Sequence, residues 1–88
     1  MVWLDAMGAA WSVSKGEENT TRVVVANHDD APLHSPIYSR TAIAAVRSLL
    51  TGQVFPAVPR DGVWQATISV LAYEVDVFSL LPISGGQH

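Results

Sequence analysis

The 88-residue sequence contains no cysteine and few charged residues of either sign. The absence of cysteine excludes a disulfide scaffold, a cysteine-based zinc site and thiol chemistry. Only 15% of the residues are charged, against roughly 25% in an ordinary soluble domain, whereas 49% are hydrophobic. With so few charges available for its surface, we expect the protein to leave apolar surface that a partner, another subunit or a further piece of chain would cover.

Clustered basic residues, phosphate-binding loops and long apolar runs are also missing. The five Lys and Arg residues stand singly, which argues against a nucleic-acid surface because phosphate binding needs a clustered basic face. Neither G-x-G-x-x-G nor G-x-x-x-x-G-K-[ST] occurs, so the chain has no recognisable nucleotide-binding loop. No apolar run approaches the roughly 20 residues that span a bilayer. We therefore expect a cytoplasmic protein that binds neither nucleic acid nor membrane.

The residues that are present predict one small α+β domain over residues 1–88. Residues 2–13 are apolar or small with Gly8 among them, which predicts a strand bent at that glycine. The polar segment 14–19 predicts a turn. The β-branched run 20–26 predicts the returning strand. Together these segments predict an N-terminal antiparallel β-hairpin.

The first of two predicted helices follows a polar loop. Ser35-Pro36 is typical of an N-cap followed by proline at the first helical position. Apolar residues then recur at three- and four-residue spacing within residues 37–51, which is the pattern of one helix face. Gly52 stands just past the predicted end, where a left-handed residue often closes a helix.

The second predicted helix begins at Asp61, which is a good N-cap, and ends near Glu74. Residues 75–81 fit either more helix or a short C-terminal strand, because residues 73–77 alternate with a period of two. The Gly-containing segment 84–88 is expected to be an unstructured tail. The predicted architecture is therefore a hairpin followed by two helices, with or without a final strand.

Candidate ligands for a metal or a partner cluster in one loop. They are His28, Asp29, Asp30 and His34. Two imidazoles and a carboxylate could hold a metal, but the spacing matches no metal motif, and solvated turn residues with a capping Asp are the alternative. Trp3 and Trp11 could stack on a sugar or another flat ring, or form core or interface contacts. No residue is assigned a catalytic, cofactor-binding or metal-binding role.

Three segments occur in a recognisable order. Thr51-Gly52 ends the first predicted helix, the Pro-containing segment 55–59 follows, and Asp61-Gly62 opens the second predicted helix. This order resembles the C-terminal end of the glucose-fructose oxidoreductase and inositol dehydrogenase family of sugar oxidoreductases. The resemblance implies a partial C-terminal domain that contributes sheet and dimerisation surface to an enzyme dependent on NAD or NADP.

The resemblance brings no active site with it. In that family an N-terminal Rossmann domain binds the cofactor, and hydride transfer uses the lysine of a Glu-Lys-Pro motif with an Asp/His pair. These features are absent here, and Lys15 stands in a Ser-Lys-Gly sequence. The resemblance thus implies a chain without its own cofactor that is inactive alone. The alternative is a stand-alone interaction module that forms a homo-oligomer or binds a protein partner through its apolar excess, around residues 3–11, 23–25 and 75–81.

Overall fold

The computed structural model describes residues 1–5 and 8–83, and strands dominate this part of the chain. Its nine strands are β1 (Val2–Leu4), β2 (Ala9–Lys15), β3 (Thr21–Asn27), β4 (Leu33–Ser39), β5 (Ile43–Ser48), β6 (Val54–Pro56), β7 (Val58–Arg60), β8 (Val63–Val70) and β9 (Val75–Pro82). Within the described residues the one helical segment is a single 3-10 turn, Glu17–Asn19. The α+β prediction is therefore wrong, because the domain is all-β. No helix of the described residues is long and apolar enough to cross a membrane.

The strands form two antiparallel sheets that pack face to face around one core. One sheet has the order β1-β4-β8-β7 and the other β2-β3-β9-β5-β6. Fully buried side chains come from both sheets, including Ile37 and Ile68 from the first and Val23, Val46 and Phe78 from the second. Burial of these side chains is the main favourable contribution to folding.

Six of the strands are arranged as strands A to F of an immunoglobulin-type sandwich. In the lettering of that topology, β1, β4, β8 and β7 follow the order A-B-E-D, and β5 and β9 take the positions of C and F. The position beside β9, which the last strand G holds in that topology, is occupied here by β3. The β2–β3 hairpin therefore places β2 as one additional strand at the edge of the larger sheet.

The predicted antiparallel hairpin is present, although residues 2–13 do not form one bent strand. Val2–Leu4 pairs with β4 in the four-stranded sheet, whereas Ala9–Lys15 pairs with β3 in the five-stranded sheet. Gly8, which precedes β2, has φ of 78°, a left-handed value that glycine adopts without steric penalty. The predicted bend is thus a change from one sheet to the other.

The first predicted helix is instead made of β4, β5 and the turns that follow them. A β-bulge interrupts the pairing of β5 with β9 between Ile43 and Ala45. Because the bulge shifts the alternation of side chains, Ile43, Ala45 and Val46 are all buried while Ala44 is exposed. The resulting three-residue spacing imitates a helix face. Gly52, with φ of 81°, lies in the β5–β6 connection and closes no helix.

Pro36 lies inside β4 because its backbone nitrogen needs no partner there. Arg40 donates its N–H to the carbonyl of Met1, and strand residues alternate the side to which their backbone groups point, so even-numbered residues of β4 face β1. The pairing of β1 with β4 ends with Leu4 opposite Ile37. Pro36 therefore stands just beyond the last pair, where a missing N–H breaks no ladder.

Asp61 and Gly62 form a hairpin turn and cap no helix. Their φ angles are 54° and 78°, and two consecutive left-handed residues define the type I′ turn that matches the twist of paired strands. Arg60 and Val63 flank this turn as a pair between β7 and β8. The second predicted helix is thus the strand β8 together with this turn and the β8–β9 connection.

The side chains of β8 and β9 explain why the segment from Asp61 to Glu74 matches a helical pattern. Trp64 and Ile68 are four residues apart, a spacing that fits the inner face of a strand as well as one face of a helix. Leu71 and Val75 continue the three- and four-residue spacing of a helix along the sequence, but they are 62% and 56% exposed. The strand alternative for residues 75–81 holds, since β9 lies in the middle of the five-stranded sheet.

Much of the apolar excess is used inside the protein. Val23, Val25 and Phe78 are fully buried in the core, so most of segments 23–25 and 75–81 needs no covering from outside. The predicted tail, residues 84–88, lies outside the described residues. Among the segments predicted to contact a partner, this leaves the N-terminal one, with Trp3 and Trp11, for closer inspection.

Candidate functional site

The structure does not bring the predicted loop ligands together as a metal-binding group. His28, Asp29 and Asp30 lie in the β3–β4 connection, and His34 lies on β4 with its Nδ1 3.0 Å from Ser69 Oγ. Across residues 1–5 and 8–83, no group of three or more His, Asp or Glu side chains is placed to hold a metal ion. The Asp29 carboxylate instead accepts the N–H of Asp30 at 2.8 Å. This hydrogen bond stabilises the conformation of the β3–β4 loop.

Asn27 holds this loop against both sheets, and no sequence pattern distinguished it from its polar neighbours. Its side chain, 3% exposed, donates from Nδ2 to the carbonyls of Ala31 at 2.9 Å, Leu71 at 3.2 Å and Val70 at 3.3 Å. Its Oδ1 accepts the N–H of Asp29 at 3.0 Å. The buried amide of Asn27 therefore links β3 both to the end of β8 and to the β3–β4 loop.

Trp3 belongs to a stack within the molecule. It lies on β1 opposite Tyr38 of β4, and the two ring centroids are 5.3 Å apart at an interplanar angle of 20°. The Arg40 guanidinium carbon lies 5.7 Å from the centroid of the Trp3 ring, within cation–π range. Because these neighbours occupy the aromatic surface, Trp3 is less suited to stacking on an external ring than its sequence position indicated.

Trp11 lies in very different surroundings, on the edge strand β2. Six of the seven residues of β2 are exposed, and Trp11 and Val13 keep 39% and 42% of their surface accessible. Trp11 is paired with Val25 and Val13 with Val23, and directly paired residues project from the same face of a sheet. Since both β3 valines are in the core, Trp11 and Val13 continue the core face past the area that the four-stranded sheet covers.

The backbone of β2 also has one free row of polar groups. The His28 N–H donates to Gly8 O at 3.1 Å at one end of the hairpin, and the Gly16 N–H donates to Thr20 O at 2.7 Å at the other. Backbone groups alternate along an antiparallel ladder, so the even-numbered residues of β2 bond to β3. The odd-numbered residues turn their N–H and C=O groups outward. This outward row consists of Ala9, Trp11, Val13 and Lys15.

β2 lacks the protection that the other sheet edges have. The edge strands β1, β6 and β7 are three residues each, and β6 and β7 contain Pro56 and Pro59. β2 has seven residues, no proline and an uninterrupted register with β3. Its single charge is Lys15 at its last position, where the ammonium donates to Thr21 Oγ1 at 3.1 Å. Short length, proline, bulges and charge are the usual means of blocking strand addition.

A cavity of about 420 Å³ opens beside the inner face of β2. Val13 and Lys15 of β2 line it on one side. Its other lining residues include Val2 of β1, in the facing sheet, and Leu80 and Pro82 of β9, in the same sheet as β2. The cavity therefore lies between the end of β2 and the start of β1. Along the described part of β2, an unpaired backbone row and an uncovered apolar face thus occur together.

Comparison with known proteins adds no further constraint on the chain. No protein-family model matches it, and no curated protein matches it. The two helices implied by the resemblance to sugar oxidoreductases are strands in the structure. The described residues form an all-β sandwich in which the edge strand β2 is long and unprotected.

Proposed function

We propose that the protein is an interaction module that self-associates by adding a strand to the free edge of β2. The observation that carries the proposal is the outward row, whose four residues offer four N–H and four C=O groups with no partner strand among the described residues. An added strand would bond to this row and would cover Trp11 and Val13. Strand addition of this kind obtains its affinity from main-chain hydrogen bonds and its specificity from alternate side chains.

No observation on the described residues favours an oxidoreductase fragment as a second function. Asp61-Gly62, which the resemblance implies is the start of a final helix, forms the turn between β7 and β8. No cofactor or catalytic residue is assigned to the protein, and the proposed activity requires none. For location we propose the cytoplasm, since a chain without cysteine is compatible with a reducing compartment.

Two proline substitutions on adjacent residues of β2 test the proposal. Val13→Pro removes an outward N–H that bonds to no strand of the described chain, whereas Ser14→Pro removes an N–H directed at β3. We expect Val13→Pro to retain a cooperative thermal transition and to lose self-association. Ser14→Pro is expected to destabilise the hairpin itself, so it serves as the control for the direction of each N–H.

Sedimentation velocity over a concentration series provides the readout. A seven-residue strand pair is a small interface, so we expect a dissociation constant in roughly the micromolar range. The wild type should then form a larger species as concentration rises, while Val13→Pro sediments as a monomer. A wild type that remains monomeric throughout, or a folded Val13→Pro variant that associates as the wild type does, contradicts the proposal.

A further inference from the structure

We infer that the strand added to β2 is β2 of a second copy, paired antiparallel about a two-fold axis that passes between the two Ser12 residues. This inference rests on the proposed function and adds the register of the pair. The two five-stranded sheets would then join into one continuous sheet of ten strands. Such an interface is isologous, since both copies contribute the same surface.

The direction of the backbone groups selects the register. Because the outward row consists of odd-numbered residues, only odd-numbered residues can form the hydrogen-bonded pairs between copies. An axis at Ser12 places Ala9 opposite Lys15 and Trp11 opposite Val13, each twice. All four residues of the row are then paired, which allows eight hydrogen bonds because each such pair exchanges two.

The neighbouring registers use the row less completely. An axis at Trp11 pairs that residue with itself and Ala9 with Val13, so Lys15 would face a position before β2. An axis at Val13 pairs Trp11 with Lys15, so Ala9 would face a position beyond β2. Each of these registers forms three hydrogen-bonded pairs within β2, one fewer than the register centred on Ser12.

The side chains of β2 are complementary in the same register. On the core face, Trp11 of each copy meets Val13 of the other, an aromatic pair with a β-branched residue of the kind that stabilises sheets. The indole is thereby placed beside Val13, which also lines the 420 Å³ cavity. Lys15, the single charge of β2, faces Ala9 of the other copy, so no like charges are opposed.

The outer face of β2 permits the close approach that this register needs. It carries Ala10, Ser12 and Ser14, which are small and exposed. Ser12 would face Ser12 of the second copy in a pair that is not hydrogen-bonded, with Cα atoms about 4.5 Å apart. Such a separation lies within the range of about 4.4–6.8 Å that a disulfide spans.

Cysteine scanning reads this register directly, because the protein has no cysteine of its own. We expect Ser12→Cys to form a disulfide-linked dimer under mild oxidation. The matched control is Ser14→Cys, also exposed on the outer face, whose Cα atoms would be four residues, or about 13 Å, apart in the proposed pair. Proximity should make initial cross-linking of Ser12→Cys faster than that of Ser14→Cys by about ten-fold or more.

Adding Val13→Pro to Ser12→Cys should reduce the cross-linking rate to that of Ser14→Cys, with thermal melts of the reduced proteins confirming that each variant is folded. If the wild type dimerises in sedimentation but Ser14→Cys cross-links as fast as Ser12→Cys, the register is wrong and the proposed function stands. Rapid cross-linking of Ser12→Cys that survives Val13→Pro overturns strand pairing as its cause. A wild type that stays monomeric refutes the proposed function itself.

Discussion

Replacing Asn27 with Asp is the sharpest test of how the two sheets are joined. The substitution preserves the shape of the side chain but replaces the Nδ2 donor with an oxygen. That oxygen would face the carbonyls of Ala31, Val70 and Leu71, which now accept hydrogen bonds at 2.9, 3.3 and 3.2 Å. A buried donor is thus exchanged for an acceptor among acceptors.

The magnitude follows from the number of hydrogen bonds that Nδ2 can make. The amide carries two hydrogens, so two full bonds are lost although three carbonyls share them. Each buried group left without a partner costs about 1–3 kcal/mol, and we expect Asn27→Asp to lower the free energy of unfolding by roughly 2–4 kcal/mol at neutral pH. For a domain of this size, that loss corresponds to a fall in Tm of roughly 10–30 °C.

Urea denaturation followed by tryptophan fluorescence measures the effect, with Asn27→Ala as a second variant. Burial among carbonyls raises the pKa of the introduced carboxyl above its unfolded value, so the folded protein is more stable at low pH and loses stability as pH rises. The deficit of Asn27→Asp should therefore be larger at pH 7 than at pH 4, whereas that of Asn27→Ala should change little between the two. A loss below about 0.5 kcal/mol for Asn27→Asp would refute the role given to this residue.

Two further substitutions test other parts of the sandwich by the same denaturation assay. Asp76, 5% exposed, accepts hydrogen bonds from the Ser48 hydroxyl at 2.6 Å and from the Leu50 N–H at 3.3 Å. Asp76→Ala should therefore lower the free energy of unfolding by roughly 2–4 kcal/mol, and Asp76→Asn, which keeps one acceptor oxygen, should lower it distinctly less. Equal losses for the two variants would contradict this role of Asp76. Phe78 is fully buried and its ring centroid lies 6.1 Å from that of Phe55, so Phe78→Ala should cost roughly 3–5 kcal/mol. A loss below about 1 kcal/mol would show that the core is not centred there.

The sequence predicts the parts of this fold that local patterns specify without ambiguity. The β-branched run 20–26 indicates β3. The period-two alternation from Tyr73 to Val77 favoured a strand but left residues 75–81 open between a helix and the strand β9. Asp61 was predicted to be a helix N-cap, because Asp before an apolar segment is typical of one, but Asp-Gly is also a strong signal for a type I′ turn. The positive φ at both residues decides for the turn.

The β-bulge in β5 shows why the remaining errors occurred. Without a bulge, buried residues would recur at every second position, which is the pattern of a strand. The extra residue between Ile43 and Ala45 shifts that pattern, so residues 43 and 46 are buried three positions apart and match the spacing of a helix. A bulge depends on pairing with a distant strand, here β9, and local sequence does not reveal that pairing.

Only part of the candidate site could be predicted from the sequence. Composition indicated uncovered apolar surface, and both Trp3 and Trp11 were candidates for it. Trp3 lies on the three-residue strand β1 and its ring stacks on Tyr38, whereas Trp11 lies on the seven-residue strand β2 at a free sheet edge. Which strand lies at an edge is set by the order of strands in the sheet, a tertiary property. Pairing with β3 likewise determines that the odd-numbered residues of β2 are the ones whose backbone groups point outward.

Residue-resolved amide exchange of β2 tests the central claim most directly. At low protein concentration the amides of Ala10, Ser12 and Ser14, which face β3, should be protected, and those of Trp11, Val13 and Lys15 should exchange rapidly. As concentration rises and the protein associates, protection should appear at the odd-numbered amides. Association that leaves these three amides unprotected, or odd-numbered amides that are already protected in the monomer, would contradict the account.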